Sequence, residues 1–162
     1  MAFDRRTLLS GGAMLALTAV SGLGRAAAPA RRPKAPFQLS EAEWRKRLTP
    51  VQYASLREAA PERPYSSPLN DEHRKGTFLC AGCGHKLYDS GTKFESHTGW
   101  PSFWRPLPKA VGTMIDHELG FARTEVHCAN CGGHHGHVFK DGPPPTGLRY
   151  CMNGISLKFV PA

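Results

Sequence analysis

Five cysteines and eight histidines carry most of the chemistry open to this chain of 162 residues. Four of the cysteines fall into two matched pairs, Cys80-Ala81-Gly82-Cys83-Gly84 and Cys128-Ala129-Asn130-Cys131-Gly132. Each Cys-x-x-Cys turn can aim two thiolates at one point, and its trailing glycine can adopt the positive φ of a knuckle. Cys80, Cys83, Cys128 and Cys131 together make a closed tetrahedral site suited to one zinc ion, with no position left for water. Such a metal is a structural staple, and the 44 residues between the pairs make it a clip between two distant hairpins. Iron in a rubredoxin-like site, or two disulfides in an oxidising compartment, are the competing uses of the same thiols.

Cys151 is left over. It lies in Gly147-Leu148-Arg149-Tyr150-Cys151-Met152-Asn153-Gly154, downstream of His134-His135-Gly136-His137-Val138-Phe139. An unpaired thiol between a guanidinium and a carboxamide, in a His-rich chain, is a candidate nucleophile, and the alternative is a small buried apolar group. In an extended segment Arg149, Cys151 and Asn153 point to one face. His134 and His137 are three apart, which puts them on opposite faces of an ideal strand; they share a site only if the backbone bends near Gly136. An imidazole titrates near neutral pH and can supply a proton, although spacing alone also suits solvated or structural histidines.

The elements that must position these groups are short. Fourteen Pro and seventeen Gly favour a β-rich fold with many turns over a helix bundle. Ser40-Glu41-Ala42-Glu43 has the form of a capping box, and Thr49-Pro50-Val51-Gln52 repeats it with Pro at the first helical position. These start two helices, over 41–48 and 50–59, with Pro61 and Pro64 beyond the second. Trp44, Leu48, Tyr53 and Leu56 are expected to pack them onto the domain. Strands are expected at Thr77–Leu79, Arg123–His127 and Gly136–Phe139, and a half-buried final strand on the alternation of Ile155, Leu157 and Phe159. Residues 141–147, with three consecutive prolines, form a strand-breaking loop.

Composition bounds the rest. One domain, residues 39–162, is expected after a linker over 31–38 and an N-terminal segment over 1–30. That segment runs Asp4-Arg5-Arg6-Thr7-Leu8-Leu9, then weakly apolar residues to Leu23, then Ala26-Ala27-Ala28-Pro29-Ala30. Basic, apolar and small in that order is a secretory signal, and adjacent arginines suggest the twin-arginine route to the periplasm. A membrane anchor fits less well, because the apolar stretch is short and carries four glycines between Gly11 and Gly24. Residues 1–30 hold Arg5, Arg6 and Arg25 against Asp4, leaving +6 of the chain's +8 on the remainder. The only dense basic run there is Arg31-Arg32-x-Lys34, so no nucleic-acid partner is expected.

Taken together, five stretches resemble the methionine-R-sulfoxide reductases, the B-type peptide methionine sulfoxide reductases. They are Leu48-Thr49-Pro50-x-Gln52-Tyr53, Gly99-Trp100-Pro101-Ser102-Phe103, Arg123-Thr124-Glu125-Val126, Gly132-Gly133-His134-x-Gly136-His137-Val138-Phe139 and Gly147-Leu148-Arg149-Tyr150-Cys151-x-Asn153. The resemblance runs from Leu39 to Pro161. It implies that Cys151 attacks the sulfoxide sulfur of an oxidised methionine and is left as a sulfenic acid. It implies too that His134 and His137 serve the departing oxygen, that Trp100 receives the substrate methyl group, and that Arg149 and Asn153 line the site. The two Cys pairs stand where zinc-containing members have them. Phe103 and Phe139 suit either the same pocket or the core.

One departure matters. Many members carry a second, resolving cysteine just before Gly-Trp-Pro-Ser-Phe, and here Thr98 stands at that place. A hydroxyl forms no disulfide, so recycling is expected to need an external small thiol or a thioredoxin-like protein. The expected protein is a monomer of mainly β structure, two small antiparallel sheets in a sandwich or tent with short N-terminal helices and a zinc staple of four cysteines. It would act on oxidised-methionine-containing proteins. The rivals are a zinc-dependent binding module and a thiol–disulfide oxidoreductase working through Cys-x-x-Cys.

Overall fold

A computed structural model describes residues 34–117 and 119–162. The expected signal segment, and residues 31–33 of the linker, lie outside the described residues. Two helices open the domain, α1 (Glu41–Arg47) and α2 (Pro50–Glu58). Both carry the full capping box: the Ser40 and Thr49 hydroxyls accept the Glu43 and Gln52 amides, and those side chains reach back to the cap amides. Each such cap is worth about 1 kcal/mol. Trp44, Leu48, Tyr53 and Leu56 are buried as expected.

Among the described residues, nine strands follow. They are β1 (Gly76–Cys80), β2 (Lys86–Asp89), β3 (Lys93–Phe94), β4 (Ser102–Phe103), β5 (Val111–Asp116), β6 (Arg123–Cys128), β7 (His134–Phe139), β8 (Arg149–Met152) and β9 (Leu157–Pro161). They build two antiparallel sheets, one in the order β2-β1-β9 and one in the order β3-β4-β8-β7-β6-β5. The fold is thus mainly β, as expected. The final strand starts later than its alternation suggests, because Ile155 belongs to a 3-10 turn, Gly154–Ser156.

The core lies between the sheets. Phe103 of β4 meets Phe78 of β1 edge-on at 4.9 Å and stacks on Tyr88 of β2 at 4.2 Å. The Tyr88 hydroxyl reaches the Met152 sulfur of β8 at 3.0 Å. Phe103 is therefore a core residue and not part of a pocket. Because Met152 and Tyr150 turn toward Tyr88, the alternation of the pleat turns Cys151, between them, to the opposite face of the larger sheet.

Each Cys pair closes a hairpin, β1–β2 in the smaller sheet and β6–β7 in the larger. The four sulfurs therefore join the two sheets. No described helix is long and apolar enough to cross a membrane.

Candidate active site

The antiparallel ladder puts Ser102 of β4, Cys151 of β8, His137 of β7 and Glu125 of β6 in one row across the sheet. Directly opposed residues on one face hold their Cβ atoms about 4.5–5.5 Å apart, so the thiol and the imidazole are neighbours by register.

His134 joins this face through a bulge. The β6–β7 register shifts between Val126 and His127, which pairs His127 with His134 instead of His135. An extra residue on one strand flips the side chains beyond it. His134 and His137 then stand with ring centroids 5.5 Å apart, as the bend at Gly136 requires. Gly136 has φ +148°, and a Cβ there would lie 2.1 Å from the Cys151 carbonyl oxygen. Only glycine fits this crossing.

Each histidine is held by a carboxylate. Nδ1 of His134 lies 2.6 Å from Glu125 Oε1, both side chains buried, and Nε2 of His137 lies 2.7 Å from Asp116 Oδ2. Arg123 pairs with the same Asp116 oxygen. An ionised carboxylate only accepts, so the ring nitrogen facing it carries the proton and the other nitrogen keeps its lone pair. For a neutral His137 that is Nδ1. Burial lowers the pKa of His137, against the pull of Asp116.

Burial likewise pushes the Cys151 thiol up, opposed by the Thr98 hydroxyl, the Arg149 charge and the Ser102 hydroxyl. At neutral pH the resting pair is therefore a thiol beside a neutral imidazole. Thr98 Oγ1 lies 3.8 Å from the Cys151 sulfur, and hydroxyl contacts run on through Ser96 at 2.8 Å to Ser102 at 2.7 Å. Arg149 is fixed by a two-pronged pairing with Asp141 at 3.0 and 2.9 Å and lies over the Phe139 ring at 4.4 Å.

Trp100 precedes β4, and the Met152 amide donates to the carbonyl of Pro101 beside it at 2.9 Å. The indole Nε1–H donates to the Glu62 carbonyl at 3.0 Å, which fixes the ring plane. Asn153 lies just past β8, where its side-chain oxygen accepts the Glu62 amide at 3.0 Å.

Beyond this face lie the other four thiols. Cys80 and Cys131 have sulfurs 3.7 Å apart, as do Cys83 and Cys128, and all four lie within 4.8 Å of one another. A tetrahedral ion with metal–sulfur bonds of about 2.3 Å requires sulfurs about 3.8 Å apart, whereas a disulfide requires about 2.05 Å. The thiols are free, and their spacing fits a metal. Arg47 Nε donates to the Gly82 carbonyl in the first knuckle, and Arg57 Nη1 donates to the Cys131 carbonyl in the second at 3.2 Å.

The SelR domain family matches residues 48–161. The chain belongs to the SelR domain family. Its relatives include proteins named peptide methionine sulfoxide reductase MsrB. That of Bradyrhizobium diazoefficiens is 55% identical over 126 residues, 75% of this chain and 88% of that protein. That of Agrobacterium fabrum is 54% identical over 123 residues, 75% and 91%. The Methanosarcina barkeri protein is 51% identical over 121 residues, 74% and 85%.

This SelR domain brings Cys151, His134, His137, Arg149 and Trp100 to one region, with Asn153 at its edge through Glu62. Sequence reasoning assigned no part to Glu125, Asp116, Arg123, Asp141, Ser96, Ser102 or Glu62. Glu125 lay in a motif quoted for its resemblance, but nothing in its spacing named His134 as its partner. Asp116, 21 residues before His137, gave no signal at all.

Proposed function

We propose that this protein reduces methionine sulfoxide in proteins, the R epimer selectively, through Cys151. The carrying observation is the register pairing of Cys151 with His137, an imidazole whose Nδ1 lone pair is left open by the Nε2 contact to Asp116. Attack by the Cys151 sulfur on the sulfoxide sulfur forms an S–S bond; the protonated oxygen then passes to the Cys151 sulfur as this bond and the substrate S–O bond break, leaving a sulfenic acid and the free thioether. His137 takes the thiol proton as sulfur attacks and delivers it to the sulfoxide oxygen. Thiol plus sulfoxide thus becomes sulfenic acid plus sulfide, with no atom left over.

Trp100 offers an indole face to the S-methyl group, a favourable sulfur–aromatic environment. Arg149 is held by Asp141 so that its charge favours the thiolate as it forms. A chiral sulfur meeting an ordered trio of thiol, imidazole and indole accepts one epimer only.

Two external thiols, from a small thiol or a thioredoxin-like protein, then regenerate the Cys151 thiol, leaving as a disulfide with the oxygen released as water. Cys80, Cys83, Cys128 and Cys131 hold zinc, which supplies folding energy and no open ligand position. Residues 1–30 direct export by the twin-arginine route, so the clients are exported proteins, and the enzyme acts as a monomer.

Turnover of separated R and S epimers of N-blocked methionine sulfoxide tests the reading. The R epimer is expected to be reduced and the S epimer untouched, with all turnover lost in Cys151→Ser. Equal use of both epimers would contradict it.

A further inference from the structure

Glu62 lies in the Pro61-Glu62-Arg63-Pro64 segment after α2, where the sequence marks only the end of a helix. Every polar group of this residue is engaged at the site. Its amide donates to the Asn153 side chain at 3.0 Å, and its carbonyl accepts the Trp100 indole N–H at 3.0 Å. One carboxylate oxygen accepts the Gly154 amide at 2.6 Å, and the Ile155 amide adds a second bond to the carboxylate. Three parts of the site, the indole, the carboxamide and the turn that ends the Cys151 strand, therefore meet at one residue.

The flanking chain is fitted closely on both sides. A Cβ on Gly99, next to Trp100, would lie 2.8 Å from Pro64 Cβ and 2.9 Å from the Tyr65 amide nitrogen. A Cβ on Gly154 would lie 2.0 Å from Ser67 Oγ. The Tyr65 amide also donates to the Gly99 carbonyl at 2.7 Å. Residues 61–67 thus pass between two glycines, one beside the indole and one beyond the nucleophile, and two prolines limit their freedom.

We propose that Glu62 is a positioning residue that sets the Trp100 indole at its distance from Cys151, holding the methyl pocket in register with the nucleophile. Its carboxylate anchors the segment to the Gly154 and Ile155 amides, and its carbonyl holds the indole. The proposal rests on the reading of Trp100 as the methyl site given above. A displacement of about 1 Å at a reacting centre costs on the order of 100-fold in rate, so losing the anchor acts on turnover without removing any group that touches substrate.

The test uses the full-length protein and two readouts. The chain has three tryptophans, so 5-fluorotryptophan labelling gives three fluorine NMR signals, with that of Trp100 assigned from Trp100→Phe. Glu62→Ala is expected to shift or broaden the Trp100 signal, leaving those of Trp44 and Trp104, the metal content and the alkylation rate of Cys151 unchanged. In the same variant kcat/KM for the R epimer should fall by about 10- to 100-fold. In a Trp100→Phe background the same change should cost less than about threefold, because the two residues act as one unit.

Glu62→Gln keeps an acceptor for both amides and should restore most of the activity. Glu62→Asp, one methylene shorter, is the second variant should Glu62→Ala not fold, and it should move the Trp100 signal selectively. An unmoved Trp100 signal, additive losses with Trp100→Phe, or a Glu62→Gln protein as impaired as Glu62→Ala would each overturn the proposal. Inactive wild-type protein with a Trp100 signal that still responds to Glu62 would instead overturn the proposed reaction and leave the positioning role standing.

Discussion

Cys151 and His137 are register partners on neighbouring strands, and the strand carrying His137 can approach only because Gly136 has no side chain to meet the Cys151 carbonyl. The proposed nucleophile and its proposed proton carrier are therefore set by backbone pairing, before any side-chain contact is considered.

Gly136→Ala should break this arrangement. The new methyl group would sit 2.1 Å from a carbonyl oxygen at a residue with φ +148°, so backbone must move. We expect a loss of about 3 kcal/mol or more in denaturant unfolding, the range of severe steric lesions, together with loss of turnover. A wild-type midpoint and full activity would show that β7 and β8 do not meet as described.

The acidity of Cys151 is a second test. Burial raises its pKa, so the thiolate fraction at any pH is smaller than that of a free thiol. Below that pKa the alkylation rate rises tenfold per pH unit, and its midpoint should lie above the ordinary thiol value. Removing a cation that favours the thiolate, in Arg149→Met, should move the midpoint further up. A wild-type midpoint below that of a free thiol would contradict the buried, neutral resting state.

Much of the fold was legible because the relevant signals are local. Ser40/Glu43 and Thr49/Gln52 announce both helices within four residues, and the paired Cys turns announce two hairpins that a metal could join. Cys151 and the histidines stood out by residue type. What stayed hidden depends on pairing between distant strands. The bulge opposite His127 decides that His134 faces Glu125, and the β5–β6 hairpin brings Asp116 to His137. Neither is written in the neighbouring residues. Glu62 was hidden for another reason, since half of its bonds to the site use its backbone.

Metal removal separates the five cysteines. Cys80→Ser or Cys131→Ser should release the metal proposed there and cost most of the stability, since binding at such a site is folding free energy. Cys151→Ser should keep a full complement of metal and nearly the same melting temperature. Metal analysis with thermal unfolding decides this, and equal metal loss in all three variants would refute the division into four ligands and one nucleophile.

Thr98 suggests a gain of function. Its hydroxyl lies 3.8 Å from the Cys151 sulfur, and a rotation at the side chain would let a thiol there close to the about 2.05 Å of a disulfide. Thr98→Cys should therefore form an intramolecular bond to Cys151 after one turnover and accept electrons from a dithiol reductant. Mass analysis before and after reduction reads the bond; its absence after turnover would place residue 98 outside the reach of Cys151.

The most direct test of the central claim is one stoichiometric turnover of wild-type protein with the R epimer and no reductant, followed by intact-mass analysis and trapping with a sulfenic-acid-selective nucleophile. The result predicted is one oxygen gained, located at Cys151, with metal retained. A disulfide from Cys151 to Cys80, Cys83, Cys128 or Cys131 with metal released would contradict the account, since it would make the four-thiol cluster part of the redox cycle.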